Sequence, residues 1–313
     1  MQKFLLILLL ITSSIRPQND KKICLTFDDL PFAGSQNRPV EIQFRLTKKL
    51  VGQLVKWKVP AIGFVNEGKL YDKGIYLPEK ENILREWLKQ GLELGNHTYS
   101  HPDYNDISFA EYKDDIIRGE KNLKPLISSY NKQLKFFRHP YLHRGNTKEK
   151  VDSLQGYLAS AGYTEAPVTV DNSDYIFAKA YDTLLVLNDS VTIRNLVKDY
   201  INYMGNKIDF YESQARQLFG RNINHILLLH ANALNADHIS DLLQMLTGKG
   251  YSFITLDEAL TDEAYKSKDN FYKKGGISWI HRWAITQGKT KEFFAGEPLT
   301  PQYIMTLTGF KNE

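Results

Sequence analysis

Seven short apolar runs, the first six each followed by a longer segment of helical character, constrain this chain more than any other feature. The runs lie at 22–27, 61–65, 92–95, 135–138, 168–171, 226–230 and 252–255. Between them lie amphipathic stretches around 39–57, 79–90, 108–130, 147–161, 189–219 and 236–249. Strands alternating with helices at this spacing form βα units around a mostly parallel sheet, which makes the fold class α/β. About seven strands is a barrel count, although a doubly wound open sheet has the same pattern. Local signals support the parse: Ser108 and Glu111 form a capping box, and Gly91 after Lys89-Gln90 fits a helix C-cap.

The ends of the chain read differently. Lys3, the apolar run 4–11 and the small residues Thr12, Ser13 and Ser14 predict a signal peptide over 1–18. That apolar run is too short to span a bilayer, and no later run is longer, so no membrane span is expected once the signal is removed. The expected location is exported, periplasmic or secreted. Removing the segment takes away Lys3 and Arg16, and the net charge falls from +4 to about +2. Without a basic stripe, that charge gives no basis for a nucleic-acid partner. The single cysteine, Cys24, lies in an apolar run and reads as a buried strand residue. From 261 onward the alternation stops, and 261–313 is expected to be an extension, following a domain over 19–260. Its Trp279 and Trp283 read as packing against the barrel rather than stacking on sugars.

The polar residues that stand out share one position. Asp28-Asp29 follows the first run and His97 the third; Arg138 ends the fourth, Asp171 the fifth and His230 the sixth. In α/β barrels the C-terminal strand ends build the active site, and packing does not explain such a set. His97 and His101 stand four apart; on one helical turn, ended by Pro102, that spacing puts both imidazoles on one face. Asp29 adds an oxygen ligand, completing a three-ligand site with open positions. The two neighbouring carboxylates can divide the labour, one on the metal and one as a base, with Arg138 pairing the base through a charge-assisted, bidentate contact. A hydrolase also needs a general acid, and His230 suits that role.

These residues carry a resemblance. Thr26-Phe27-Asp28-Asp29, His97-Thr98-Tyr99-Ser100-His101, Arg138-His139-Pro140-Tyr141, Asp171-Asn172-Ser173-Asp174-Tyr175 and Leu228-Leu229-His230 resemble, in order, the five motifs of the NodB-homology polysaccharide deacetylases, carbohydrate esterase family 4. The resemblance implies a distorted (β/α) barrel and one divalent metal, usually Zn2+. It implies Asp28 as general base, Asp29, His97 and His101 as ligands, and His230 as general acid. Arg138 would orient Asp28, Asp174 would position His230, and the Tyr141 N–H would help hold the oxyanion. Tyr141, Tyr175 and Asp171 would contact substrate.

The implied reaction is water attack on an acetyl carbonyl of an acetylated carbohydrate, peptidoglycan or a chitin-like oligomer. Three neighbouring readings share these residues: an O-acetyl esterase on a xylan-like glycan, an amidase on a small non-sugar amide, and a non-catalytic carbohydrate-binding protein. Leu30-Pro31 in place of the usual glycine, and Tyr175 in place of tryptophan, depart from the family pattern and bear on the shape of the groove.

Overall fold

The computed structural model describes residues 21–34 and 38–313; the expected signal peptide lies outside them. Nine strands are formed among these residues: β1 Lys22–Leu30, β2 Ile62–Val65, β3 Tyr71–Asp72, β4 Ile75–Tyr76, β5 Glu93–Asn96, β6 Phe136–Phe137, β7 Thr164–Glu165, β8 Asn224–His230 and β9 Ser252–Phe253. The helices are α1 Val40–Lys56, α2 Pro78–Lys89, α3 Phe109–Arg118, α4 Leu123–Ser128, α5 Lys148–Ser160, α6 Asp174–Leu187, α7 Ser190–Phe219, α8 Ala233–Gly248, α9 Leu256–Leu260, α10 Trp279–Thr286 and α11 Gln302–Thr308.

Seven strands form one parallel sheet in the order β7-β6-β5-β2-β1-β8, with β9 pairing the start of β1. The sheet curls into an open α/β barrel walled by helices, while β3 and β4 make a separate antiparallel hairpin. β1 is central: Cys24, Leu25 and Phe27 are wholly buried, as its unbroken apolar reading requires of a strand covered on both faces. β8 runs beside it in register, and Asp28 on β1 is the Cα partner of His230 on β8. Polar groups at matching strand ends therefore face one rim.

The structure departs from the sequence reading at identifiable places. The run at 168–171 makes one isolated bridge, Val170 to Leu227, instead of a strand. The stretch 108–130 splits into α3 and α4. Helix α6, absent from the sequence reading, starts at Asp174, inside the fourth motif. The Ser108–Glu111 capping box forms, with Glu111 N donating to Ser108 Oγ and the Glu111 carboxylate accepting from Ser108 N.

After residue 261 the chain packs back on the body. Trp283 is enclosed by Phe219 of α7 and by Tyr265, and Trp279 is buried against the cationic Arg282. Helix α11 lies along α6, where Phe310 just beyond it meets the edge of Tyr175.

Candidate active site

The register between β1 and β2 shifts between Phe27 and Leu30, and there Asp29 takes a left-handed φ of 71°. A bulge of this kind re-aims a side chain at a strand end. Asp28 continues β1, so the two neighbouring carboxylates occupy different settings. The cis peptide Leu30–Pro31 follows at once.

His97 and His101 are not carried by a helical turn. They lie on a loop after β5, in which Thr98 and His101 have φ of 67° and 58°. Left-handed conformations at non-glycine residues need support from neighbours. That support comes from buried side chains: Asn96 Oδ1 accepts from Thr98 N at 2.7 Å, and Asp115 Oδ2 accepts from Ser100 N at 2.8 Å. Asn66 Nδ2 donates to the His97 carbonyl at 2.5 Å. None of the three was singled out by the sequence reading, because Asn and Asp after a strand or within a helix give no distinctive signal.

The trio converges. Asp29 Oδ1 lies 3.5 Å from His101 Nε2 and 3.8 Å from His97 Nε2, and the three ligand atoms fall within 4.8 Å of one another. His97 Nδ1–H donates to the Arg138 carbonyl at 2.8 Å, which leaves Nε2 as the lone-pair nitrogen facing Asp29. Burial, and then the neighbouring His101, hold His97 well below the usual histidine range, so it is neutral. Burial opposes the Asp29 charge, but the charges of Lys69 and His230 outweigh it and hold Asp29 well below the usual carboxylate range. Asp29 Oδ1 is buried yet accepts no hydrogen bond. An ionised oxygen without a donor, between two neutral imidazoles, fits a divalent cation; tetrahedral zinc bonds of ~2.1 Å would set ligand atoms roughly 3.4 Å apart. Lys69, which the sequence reading missed, lies 3.4 Å from Asp29 Oδ2 and donates to the Asp29 carbonyl at 3.0 Å.

Flanking the trio are two groups suited to moving protons. Asp28 is buried, and desolvation pushes its carboxyl up to about 6 against the opposing charge of Arg138. The Arg138 contact is single and long, Nη1 to Asp28 Oδ2 at 3.4 Å, rather than the expected bidentate pair. Its Nη2 instead donates to Thr26 Oγ1 at 2.9 Å, and its guanidinium lies over the Phe64 ring.

On the neighbouring strand, His230 Nδ1 lies 2.6 Å from Asp174 Oδ1. Burial opposes the imidazolium, but Asp174 prevails and raises His230 to about 9. Asp174 is locked in place: its Oδ2 accepts from His230 N at 2.9 Å and from Asn235 Nδ2 at 2.8 Å. Asn235 in turn accepts from Tyr200 OH at 2.7 Å. Asn235 sits on α8 and gave no sequence signal.

Asp28, Asp29, His97, His101 and His230 line one cleft of about 1450 Å³ together with Tyr141, Asp171 and Tyr175. Arg138 and Asp174 are fully buried behind it. Tyr141 and Tyr175 are half-exposed walls, the first edge-on to His101 and the second edge-on to His230. Asp171 is pushed up to about 6 by burial, with Lys207 opposing, and makes no direct contact with His230 among its described hydrogen bonds. Gly276, Glu297, Leu299 and Phe310 of the extension also line the cleft.

Comparison with known proteins follows the same lines. Residues 15–160 match the polysaccharide deacetylase family model. A peptidoglycan-N-acetylglucosamine deacetylase of Bacillus cereus is 33% identical over 125 residues, 40% of this chain and 38% of that protein. The chain thus spans well under half the length of that relative. A chitin deacetylase of Colletotrichum lindemuthianum is 24% identical over 80% of this chain and 82% of its own. The solved structure of the chitin deacetylase from that fungus superposes with a TM-score of 0.51 at 23% identity, covering 80% of this chain and 91% of the other, and so shares the fold.

Proposed function

We propose that the chain, whose residues 15–160 match the polysaccharide deacetylase family model, is a member of that family and hydrolyses the acetamide of an N-acetylated glycan, peptidoglycan or a chitin-like oligosaccharide. The observation that carries this reading is the opposed protonation of two paired residues in the cleft. Asp28, with its carboxyl near 6, is mostly ionised at neutral pH, while His230, raised to about 9, is mostly protonated. Base and acid stand ready at paired positions on adjacent strands, in the cleft that holds the ligand trio.

Asp29, His97 and His101 would hold a divalent metal, zinc by the donor set of two imidazoles and one carboxylate. Such an ion polarises the acetyl carbonyl and acidifies water. The side chains do the rest. Asp28 accepts a proton from the attacking water as its oxygen bonds to the acetyl carbon. His230 gives its proton to the sugar nitrogen as the C–N bond breaks, releasing acetate and the free amine. Asp174 orients the imidazole and favours its charged form, and Arg138 orients Asp28. The Tyr141 N–H serves the developing oxyanion. Tyr141, Tyr175 and Asp171 line the sugar site.

A cleft of about 1450 Å³ is larger than the roughly 300–1,000 Å³ of small-ligand pockets, which favours an oligosaccharide over a small amide. We take 19–260 as the deacetylase domain and 261–313 as an extension that helps wall the cleft. The chain is read as exported by its first 18 residues, and no helix of the described residues is long and apolar enough to cross a membrane.

The test is acetate release by zinc-loaded protein from peptidoglycan, chitooligosaccharides and acetylxylan, beside the Asp28→Asn variant. Wild type should act on an N-acetylated substrate, and the variant should keep its metal but lose activity by at least about 100-fold. A variant as active as wild type would remove Asp28 from the mechanism, and release from acetylxylan alone would make the protein an esterase.

A further inference from the structure

Part of the cleft lining is both apolar and exposed. Eleven large hydrophobic side chains are exposed among the described residues, and five of them, Tyr141, Tyr175, Leu185, Val186 and Leu299, line the catalytic cleft. The two tyrosines stand beside His101 and His230 and suit a sugar ring. The other three are aliphatic. Val186 is 82% exposed and Leu299 74%, and Leu187 next to Val186 is 64% exposed. A run of three exposed aliphatic residues, 185–187, is costly at a helix end, where water favours polar side chains. Folding does not require it: the α6 C-terminus is closed by backbone bonds through left-handed Asn188, and α7 is capped by Asp189.

Two separate parts of the chain, the end of α6 and the extension, bring these aliphatic groups to the same cavity that holds the ligand trio. The helix also fixes their distance from the chemistry. Asp174 at its start holds His230, and Leu185 lies eleven residues on, roughly 16 Å along the axis. Sugar rings, ringed by hydroxyls, are matched by flat aromatic faces; branched aliphatic side chains match a hydrocarbon chain.

We infer that the aliphatic rim of Leu185, Val186 and Leu299 is a binding site for a hydrocarbon chain carried by the glycan, so that the preferred substrate is an amphiphile, an acetylated oligosaccharide bearing an alkyl or acyl tail. The inference rests on the deacetylase reading for its substrate. The occupant is the substrate's own tail because the rim is continuous with the catalytic cleft. Methylene burial supplies affinity that does not change along the reaction, so it lowers KM and leaves kcat alone.

The experiment compares chitotetraose with its octyl glycoside. Kinetics of acetate release are measured alongside calorimetric Kd, for wild type and for a Val186→Ser, Leu299→Ser double variant. Both side chains are mostly exposed, so the variant should fold. The octyl group should lower KM and Kd by about tenfold or more in wild type. The variant should lose that advantage, its KM and Kd becoming the same for the two sugars. Equal Kd for both sugars in wild type, or an advantage that survives in the variant, would overturn the inference. So would a wild-type dimer that the variant dissolves, or wild-type binding to phosphatidylglycerol vesicles that matches the octyl effect; these would make the rim a self-association or membrane surface. No acetate from either sugar, with the Kd difference intact, would instead sink the deacetylase reading and leave the tail site standing.

Discussion

Two histidines on one strand show how differently the two ends of this barrel are used. His225 lies near the start of β8 and His230 at its end, five residues apart. At the start, burial outweighs the opposing charges of Glu212 and Asp262, and His225 is pushed down to about 4. Its Nδ1 lies 3.2 Å from Thr169 Oγ1, and Nε2 is buried without a hydrogen-bond partner in the described protein. At the end, burial again disfavours the charge, but Asp174 reverses the outcome and lifts His230 to about 9. Burial alone makes a histidine a neutral packing residue; one locked carboxylate makes it a proton donor. Under the proposed function, the strand's entry would serve stability and its exit chemistry, the usual division of an α/β barrel.

The sharpest break of that division is His230→Gln. Activity should fall by about 10²–10⁴-fold, the usual worth of a general acid, with bound metal and melting temperature close to wild type. Loss of fold or metal would make the exit histidine structural after all. Asp174→Asn tests the cause rather than the residue. The carboxylate raises His230, so its loss should let the imidazole deprotonate at lower pH. The alkaline limb of the kcat profile should move down from its wild-type position, and kcat should fall by roughly 10–100-fold. An unmoved limb would mean that Asp174 does not set the acid.

How much of this was legible follows from how each part is encoded. Asp28, Asp29, His97, Arg138 and His230 were readable because a chemically distinctive residue ends an apolar run, and strand direction alone puts such residues on one rim. The geometry of the His97–His101 pair was not readable: a four-residue spacing suggests a helical turn, yet left-handed Thr98 and His101 do the work, held by Asn96 and Asp115. Neither Thr nor His advertises a positive φ. Helix α6 is missing from the sequence reading because its start, Asp174, falls inside the fourth motif. The walls of the cleft were least legible, since they arise from contacts across more than a hundred residues.

Gly276 is the clearest case. A Cβ there would lie 1.8 Å from the Tyr141 carbonyl oxygen, so only glycine lets the extension press against the loop that carries Tyr141. Tyr141 itself has a φ of 56°. Gly276→Ala must displace one backbone or the other, and moving a positioning group by a fraction of an ångström costs rate. We expect kcat to fall by about tenfold with metal content unchanged. Unaltered kinetics would show the extension to be a bystander, and the comparison of strand ends would then cover the whole catalytic apparatus.

The smallest expected effect is at the entry end, and it appears in stability rather than in rate. The folded His225 pKa, about 4, lies below its ordinary value of 6.5. Between those values the unfolded chain takes up a proton that the folded chain refuses. The stabilising contribution is therefore complete above pH 6.5 and is lost as pH falls toward 4. At about 1.4 kcal/mol per pKa unit, the loss across that window is at most roughly 3 kcal/mol. His225→Gln removes the titration, so urea unfolding of the variant should weaken less than wild type between pH 7 and pH 4.5, with kcat unchanged at pH 7. The difference in slope isolates His225, because every other group titrates in both proteins. Identical slopes would mean that His225 is charged in the folded state, and the contrast between the two ends of β8 would then lie in Asp174 alone and not in burial.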